Sequence, residues 1–454
     1  MTERQYKDSG VGWIGDIPND WEVIKIKYLQ DTSQKDSFID GDWIESPYII
    51  DSGIRYLTSG NIGDGVFKHQ GNGYISDKTF EVLNCKYAYP NDLIISRLNA
   101  PYGRACILPN DENKYVLAVD NVILRTKQNK QFLCYVMQCD GYHSNVEEKS
   151  AGTAMKRISR SKLGHIQLPL PSFEEQQQIA DFLDSKTAAI DSAVQAQKDI
   201  VEKLNEYKQA VITEAVTKGL DCDADMKDSG IEWIGMIPSN WYTMRIKDVI
   251  VRSKDGIKIG PFGSALTGKT VSHGNYYVYS QYNLINDDFS DAKNKITDDT
   301  FNTLKAYEVL PNDICLSMMG TIGKCKTVPS NIKRGIMDSH LIKIRLNERM
   351  IDKYFEYVYD KDYSGLCYKQ MQFDKTGSIM DGLNTTIIKN LYLPVPPLEE
   401  QQQIIEYLDS KTATIDKAIE QKNAIIEKLE EYKKSIIYNA VTGKIDCRKD
   451  VIPE

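Results

Sequence analysis

The chain has 454 residues, of which 41% are hydrophobic and 26% charged, and its formal net charge is -8. No apolar run approaches the roughly 20 residues of a membrane-spanning helix, and the N-terminus lacks the apolar core of a signal peptide, so we expect a globular protein of the cytoplasm. Nine scattered cysteines without a CxxC pair predict free thiols and argue against a disulfide framework or a structural zinc site.

The first predicted element is a tryptophan-rich entry segment, DSGVGWIGDIPNDWEVIKIK, at residues 8–27. It returns at residues 228–247 as DSGIEWIGMIPSNWYTMRIK, so the chain reads as one module used twice. Both copies contain the pattern WIGxIPxxW. Its tryptophans either bind a protein partner or anchor the segment to its own domain, and both hypotheses stay open. The residues concerned are Trp13, Trp21, Trp233 and Trp241.

The middle of each half contains short β-rich runs between Gly, Asn and Asp turns, which predicts a mixed α/β domain. Residues 20–165 contain 18 basic and 18 acidic side chains, and residues 241–392 contain 21 and 17. The rest of the chain has 17 basic and 29 acidic side chains, so the negative charge lies in the repeated parts. The overall charge therefore does not exclude a nucleic-acid partner for the middles.

A long helix is predicted after each middle. Residues 174–217 contain no Gly or Pro, and their apolar residues step by three and four, the period of a coiled-coil seam. The same pattern returns after the second middle, which predicts that the two helices pair with each other. At 1.5 Å per residue the first helix is roughly 66 Å long. The alternative is two ordinary amphipathic helices in one core. Polar residues interrupt the two seams at Thr187, Gln197, Lys208, Thr412, Lys422 and Lys433.

The two middles share weak equivalences despite their divergence. YPNDLIIS at 89–96 matches LPNDICLS at 310–317, and YLTSGNI at 56–62 matches YVYSQYNL at 277–284 with one insertion. We therefore expect one fold with diverged loops, the usual way in which sites of different specificity are built on a shared scaffold.

One segment of the second middle, GSALTGKT at 263–270, matches the phosphate-binding pattern GxxxxGK[ST]. A working loop of this kind follows a buried strand and opens a helix. Here the upstream residues are polar and Gly-rich, and the downstream residues include a Gly followed by β-branched and aromatic side chains. The context predicts a flexible loop in which Lys269 meets phosphate, and it argues against nucleotide hydrolysis.

The WIGxIPxxW entry, the PNDxxxS strand with its following Gly and basic residue, and LPxPxxEEQQQI before a coiled-coil helix together resemble the specificity subunit of type I restriction-modification systems. The resemblance covers essentially the whole chain. It implies an α/β (α+β) fold with two similar globular target recognition domains of mixed β-sheets, separated by two long antiparallel coiled-coil helices in a pseudo-twofold internal repeat. The implied domains are residues 1–170 and 221–395 for target recognition, 171–220 for the first conserved helix, and 396–454 for the second helix and C-terminal tail.

The resemblance also implies a non-catalytic DNA-binding subunit in which each recognition domain reads one half of a bipartite target. Because the middles differ, we expect that target to be asymmetric. The implied partners are double-stranded DNA, two methyltransferase subunits that use S-adenosylmethionine to methylate adenine and, in the larger complex, two restriction subunits. The chain itself has no [DN]PP[YF] tetrapeptide and no metal-ligand spacing among its five histidines, so no cofactor is expected in it. The duplicated tryptophans are the candidate methyltransferase docking sites.

Candidate DNA contacts combine Arg and Asn side chains, which fit base edges, with clustered basic residues, which fit phosphates. For each of them an ordinary role in a turn or on a solvated surface stays open. The second segment that corresponds to the basic cluster after Gly152, residues 377–389, lacks its charge. The candidates are Asn61, Arg97, Asn99, Arg104, Lys156, Arg157, Arg160, Lys269, Asn283 and Lys324.

Three other functions remain open at this point. A fused restriction-methylation enzyme would need the missing methyltransferase motifs. A coiled-coil scaffold without DNA specificity would give no reason for two diverged middles. A nucleotide-binding protein would act through GSALTGKT, and nucleotide binding by a Lys269→Ala variant discriminates that function.

Overall fold

The computed structural model describes residues 4–71, 73–111, 113–152, 156–373 and 384–449. The chain forms two compact units: unit 1 comprises residues 1–197 and 424–454, and unit 2 comprises residues 198–423. Each unit therefore contains one middle together with a part of each long helix. Among the residues just given, no helix combines the length and the apolar character needed to cross a membrane.

The first half contains short strands and one very long helix. Its strands are β1 (Tyr6–Asp8), β2 (Asp16–Pro18), β3 (Glu22–Lys25), β4 (Phe38–Asp40), β5 (Ile54–Leu57), β6 (Tyr74–Ile75), β7 (Tyr87–Ala88), β8 (Leu93–Ser96), β9 (Ala105–Ile107), β10 (Tyr115–Leu117), β11 (Asn121–Leu124) and β12 (Gln167–Leu170). Its α-helices are α1 (Asp77–Val82), α2 (Lys130–Val136), α3 (Asp140–Glu148), α4 (Arg160–Leu163) and α5 (Phe173–Lys218).

The second half repeats this order with small changes. Its strands are β13 (Met226–Asp228), β14 (Met236–Pro238), β15 (Tyr242–Arg245), β16 (Ile257–Ile259), β17 (Tyr276–Tyr279), β18 (Asn294–Ile296), β19 (Ile314–Ser317), β20 (Cys325–Thr327), β21 (Gly335–Met337), β22 (Leu341–Ile344) and β23 (Tyr392–Val395). Its α-helices are α6 (Ile246–Val249), α7 (Gly263–Leu266), α8 (Gln281–Ile285), α9 (Asp298–Thr303), α10 (Asp352–Tyr359), α11 (Leu366–Phe373), α12 (Thr385–Asn390) and α13 (Leu398–Val441).

The antiparallel sheets of the two units correspond strand by strand, whereas the mixed sheet of unit 2 has three strands and that of unit 1 has four. Unit 1 has an antiparallel sheet of order β4-β11-β8-β9, and unit 2 has its counterpart, β16-β22-β19-β20. Each unit also has a mixed sheet, β6-β5-β10-β7 or β18-β17-β21, in which one pair is parallel. The central strands β8 and β11 are buried along their whole length, which explains their continuous apolar runs. The prediction of mixed sheets in two similar domains is confirmed.

The register of the mixed sheets corrects one detail of the sequence comparison. Leu57 pairs with Leu117 in unit 1, and Tyr279 pairs with Met337 at the corresponding place in unit 2. Strand β5 therefore matches β17 without the insertion expected from the sequence, and Thr58 is the counterpart of Ser280.

Segments of both long helices pack together inside each unit, and there they run antiparallel. In unit 2, Lys208 forms a 2.7 Å ion pair with Asp416, while a Cβ atom at Gly219, just past the end of α5, would lie 3.0 Å from Glu400 near the start of α13. In unit 1, the corresponding lysine, Lys433, forms a 2.7 Å ion pair with Asp191. Two of the lysines that interrupt the apolar seam are thus partners in ion pairs between the helices.

Candidate nucleic-acid interface

A polar cleft of about 650 Å³ opens on unit 1 between the end of β4, the segment after β8 and the start of α4. It contains three of the arginines and lysines expected from the sequence to meet DNA. The Ser159 side chain accepts a hydrogen bond from the Lys162 backbone N–H and so fixes the first turn of α4. The side chains that give the cleft its charge are Lys27, Asp40, Arg97, Arg157 and Arg160.

Two carboxylates hold the three guanidinium groups of this cleft. Asp40 lies 2.9 Å from Nη2 of Arg97 and 3.5 Å from Nε of Arg160, and Asp120 lies 2.8 Å from Nε of Arg157. Four basic side chains then face two acidic ones, so the cleft has a net charge of +2. The side chains of Arg157 and Arg160 remain 39% and 40% exposed, which leaves donors free for an anionic partner.

Arg97 lies beneath the other two arginines and is only 5% exposed. It donates a 3.3 Å hydrogen bond to the carbonyl of Ile158 and a further one to the carbonyl of Val119. Burial lowers the pKa of its guanidinium, and the charge of Asp40 opposes that effect. Arg97 therefore positions the loop that carries Arg157, and its Nη1 and Nη2 donors are used inside the protein.

Unit 2 has a different set of side chains at the same place. The backbone N–H of Arg97 donates to the carbonyl of Asp120 at 2.8 Å, and that of Met318 donates to the carbonyl of His340 at 2.9 Å, so Met318 and His340 take the places of Arg97 and Asp120. In the register of the antiparallel sheets, Ile259 takes the place of Asp40.

The start of α4 also has its counterpart in unit 2. Asn384 caps α12 as Ser159 caps α4, which places Thr385 where unit 1 has Arg160. Residues 377–383 of the segment expected to lack the basic cluster, and Thr153 beside that cluster, lie outside the described residues.

The candidate asparagines of both middles have the same internal role. Asn61 and Asn283 are each 3% exposed, and each closes a capping box with Thr58 or Ser280. Their side-chain amides donate to backbone carbonyls of the following loop, at 2.7 Å in the shortest case of each unit. Both side chains are therefore used to hold a loop, with no donor left for a base edge.

Arg104 and Lys324 occupy equivalent positions and bind groups of their own unit. Arg104 donates to the carbonyls of Ser59 at 2.7 Å and Asn99 at 3.0 Å. Lys324 forms ion pairs with Asp360, at 3.8 Å, and with Asp362. Both cations thus fix the turn that follows β8 or β19.

The remaining candidates are exposed and lie apart from the cleft lining. Asn99 is exposed in a left-handed backbone conformation with φ 65°, and Lys156 forms a surface ion pair of 2.8 Å with Glu147. Lys269 is exposed after the four-residue helix α7, and its N–H donates to the carbonyl of Leu266 at 3.0 Å. A helix that ends before the lysine is the reverse of a phosphate-binding loop, in which the helix begins there.

The four tryptophans divide into two kinds. Trp21 and Trp241 are 1% and 0% exposed. Each packs against the glycine just past the end of a long helix, since a Cβ atom at Gly443 would lie 3.3 Å from Trp21 and one at Gly219 would lie 3.2 Å from Trp241. These two anchor helix ends within their own unit and offer no surface to a partner. Trp13 and Trp233 are half-buried, so part of each remains exposed.

Asp40, Asp120 and Lys27 were not identified from the sequence. Asp40 and Arg97 are 57 positions apart, and they meet only because β4 and β8 flank the same strand, β11. The one available signal was the acidic residue at the end of a β-rich run, and such residues are also ordinary turn formers.

Comparison with known proteins gives a consistent result. The type I restriction modification DNA specificity domain matches residues 18–203 and 238–431, which together cover most of the chain. A putative type I restriction enzyme MjaX specificity subunit of Methanocaldococcus jannaschii is 25% identical over 450 residues, 95% of each chain. The type I restriction enzyme EcoBI specificity subunit of Escherichia coli is 24% identical over 367 residues, 79% of this chain and 74% of that one.

A solved structure described as the structural basis of complex assembly and conformational transition of the type I R-M system has the same fold. It superposes with a TM-score of 0.68 at 14% identity, over 94% of this chain and 99% of that one.

Proposed function

The chain belongs to the family of the type I restriction modification DNA specificity domain, and we propose that its two middles read the two unlike halves of a bipartite, asymmetric DNA target. One observation carries this proposal. At topologically equivalent positions, unit 1 has Asp40, Arg97 and Asp120, whereas unit 2 has Ile259, Met318 and His340. An identical framework with charged groups in one copy and mostly apolar groups in the other is suited to two different base sequences.

In unit 1, the groups available to DNA are the exposed donors of Arg157 and Arg160. Their guanidinium forks match phosphate oxygens and the O6 and N7 atoms of guanine. The buried Arg97 and the two aspartates set where these forks point, so they act as positioning residues. In unit 2, Met318 and Ile259 offer apolar contact of the kind that suits a thymine methyl group.

Catalysis is assigned to a partner. The chain would position two copies of an adenine methyltransferase that binds S-adenosylmethionine, and in a larger complex two restriction subunits. The repeated entry segments and long helices offer two equivalent surfaces for two copies of the methyltransferase. Within the entry segments, Trp13 and Trp233 are half-buried and so have area exposed to a partner. The implied domain bounds, 1–170, 171–220, 221–395 and 396–454, remain part of this proposal.

The test is to express the chain with a type I methyltransferase subunit of the same system and to map methylated adenines across the host genome. We expect methylation at a split motif whose two halves differ and are separated by bases that are not read. Cells with the methyltransferase alone are the control. The same methylation pattern without this chain, or methylation at a single continuous motif, would contradict the proposal.

A further inference from the structure

Two large aromatic side chains stand in solvent at equivalent positions of the two units. Trp43 is 70% exposed and Phe262 is 87% exposed. Each lies three positions after the last residue of the matching strand, Asp40 of β4 or Ile259 of β16. Neither residue was singled out from the sequence, because the segments that contain them, GDWIE and GPFGS, share only the glycine.

In each unit, that glycine lets the strand approach a neighbouring backbone closely. A Cβ atom at Gly41 would clash with the carbonyl oxygen of Ala118, and one at Gly260 would clash with that of Asp338. The N–H of Gly41 donates to the Asn121 carbonyl at 2.9 Å, and the corresponding bond of unit 2 has the same length. The glycine is therefore held against the sheet in the same way in both units, and the aromatic residue follows two positions later. The intervening residues differ, since the Asp42 N–H donates to the Leu117 carbonyl at 2.8 Å and Pro261 has no N–H to donate.

The aromatic residues are exposed although their neighbours are fixed. In unit 1, Trp43 is flanked by Asp42 and Ile44, which are 8% and 9% exposed. In unit 2, Phe262 follows the buried Pro261, and its carbonyl accepts the hydrogen bond that opens α7. A rigid support with an outward-facing ring is poorly explained by packing, since the ring itself contributes little to the core.

The position also adjoins the cleft of unit 1. Asp40, which holds Arg97 and Arg160, precedes Gly41 directly, and Val119, next to the Ala118 that Gly41 contacts, lines the cleft. In unit 2 a Cβ atom at Gly263 would lie 3.9 Å from the Ser339 hydroxyl, beside the His340 that replaces Asp120. A duplex held by the arginines would thus lie next to the segment that carries the ring.

We propose that Trp43 and Phe262 place their rings against DNA bases, each at its own half-site, as apolar wedges at a base step. The partner is double-stranded DNA, so this inference rests on the proposed function. Flat apolar side chains suit such contacts because every base has a π face and partly unstacked steps accept a ring. The wedge would respond to the shape and deformability of the DNA, which explains why tryptophan and phenylalanine can both serve at this position.

The experiment uses the full chain in complex with its methyltransferase and a duplex that carries the mapped motif. Trp43→Ala is expected to weaken binding on the order of 10-fold, and Trp43→Phe much less. With the half-site of unit 1 scrambled, wild type and Trp43→Ala should bind equally. Phe262→Ala should show the same behaviour for the other half-site. The controls are Tyr89→Ala and Tyr242→Ala, which remove aromatic side chains that are 50% and 64% exposed elsewhere in each unit.

A second readout reports unstacking directly. 2-Aminopurine, placed in turn at each adenine of the motif, should brighten at one step of each half-site when the wild-type complex binds and should stay dark at that step with the alanine variant. Alanine variants that bind the motif as wild type does, with unchanged 2-aminopurine signals, would overturn the wedge while leaving the proposed function intact. A wild-type complex that binds motif and scrambled duplexes equally would instead contradict the proposed function.

Discussion

The guanidinium of Arg160 shows how the cleft combines rigidity with access. It is held by Asp40 at 3.5 Å and by the Phe38 carbonyl at 3.2 Å, yet 40% of the side chain is exposed. A phosphate contact made by such a group releases about one counterion, so its removal lowers the salt dependence of binding.

We therefore expect Arg160→Gln to weaken binding to the target duplex and to reduce the slope of log K against log salt by about 1. The matched control is Lys127→Gln, which removes a 74% exposed lysine paired with Asp31 at 3.6 Å in the same unit. Binding isotherms at several salt concentrations give both quantities. An unchanged slope and affinity for Arg160→Gln would remove this residue from the interface.

His143 provides a pH-dependent contact in unit 1. Its Nε2 lies 3.2 Å from Asp64 and its Nδ1 lies 2.9 Å from the Tyr102 carbonyl. Burial alone lowers the pKa of His143, but the hydrogen bond and charge of Asp64 outweigh that effect, so the net pKa is raised. The pair therefore stabilises the folded unit fully below the ordinary histidine pKa of about 6.5 and loses that effect as the pH rises through the raised value.

Asp64→Asn should then lower the free energy of unfolding at pH 6 by about 1 kcal/mol, a figure reduced for the partial exposure of Asp64. At pH 9 the variant and the wild type should be nearly equal. Urea unfolding followed at both pH values measures the difference. A deficit of the same size at pH 9 would show that the contact does not depend on the histidine charge.

At the level of single residues, the sequence predicted which side chains lie close together better than it predicted which are buried. Arg157 and Arg160 were correctly placed together, because they lie close in the chain. Arg97 and the asparagine Asn61 were expected at the surface and are buried. Their internal bonds join strands and loops far apart in sequence, and no local pattern reports such pairs.

Among the elements, the junction between each entry segment and a helix start differs between the two units. In unit 1, Glu175 accepts a 2.9 Å hydrogen bond from the Trp21 indole and forms a 2.6 Å ion pair with Arg4. The side chains of Arg4 and Glu175 are both nearly buried. In unit 2, Glu400 has only a 3.4 Å bond from Asn240, and the Trp241 indole N–H has no hydrogen-bond partner among the described residues.

Glu175→Ala is expected to destabilise unit 1 by about 3 kcal/mol, because it leaves the Trp21 N–H buried without its partner and leaves Arg4 with only the exposed Asp20, 3.5 Å away, as an acidic partner. Glu400→Ala, the matched control, should cost clearly less. Amide hydrogen exchange of residues 12–21 and 232–241 reports each junction separately. Equal loss of protection in the two variants would show that the buried pair adds nothing.

The long helices were the elements best predicted, since a run of more than forty residues without Gly or Pro and with a 3.5-residue apolar period has few alternatives. The polar interruptions were read only as gaps. In the structure, the Thr187 hydroxyl lies 3.1 Å from the Tyr135 hydroxyl, and Lys208 and Lys433 pair with aspartates of the other helix. The repeat marked these polar positions in both helices, but the sequence could not identify their partners, because those partners are set by how the helices pack.

For the whole molecule, duplication explains why the two units are alike, and divergence of the two middles explains why they differ. Each unit is completed by the end of a long helix: Tyr438 of α13 donates to the Ile14 carbonyl in unit 1, and Tyr354 donates to the Val216 carbonyl of α5 in unit 2. The sequence predicted this frame because it is repeated. The side chains of the candidate interfaces were less predictable, since they lie in segments where the copies have diverged.

The central claim is that each middle reads its own half of the target. The most direct test replaces residues 21–165 with the corresponding middle of another member of the family and maps adenine methylation in cells that contain the same methyltransferase. We predict that one half of the motif changes to that of the donor while the other half stays as in the wild type. A motif in which both halves change, or in which neither does, would contradict the account.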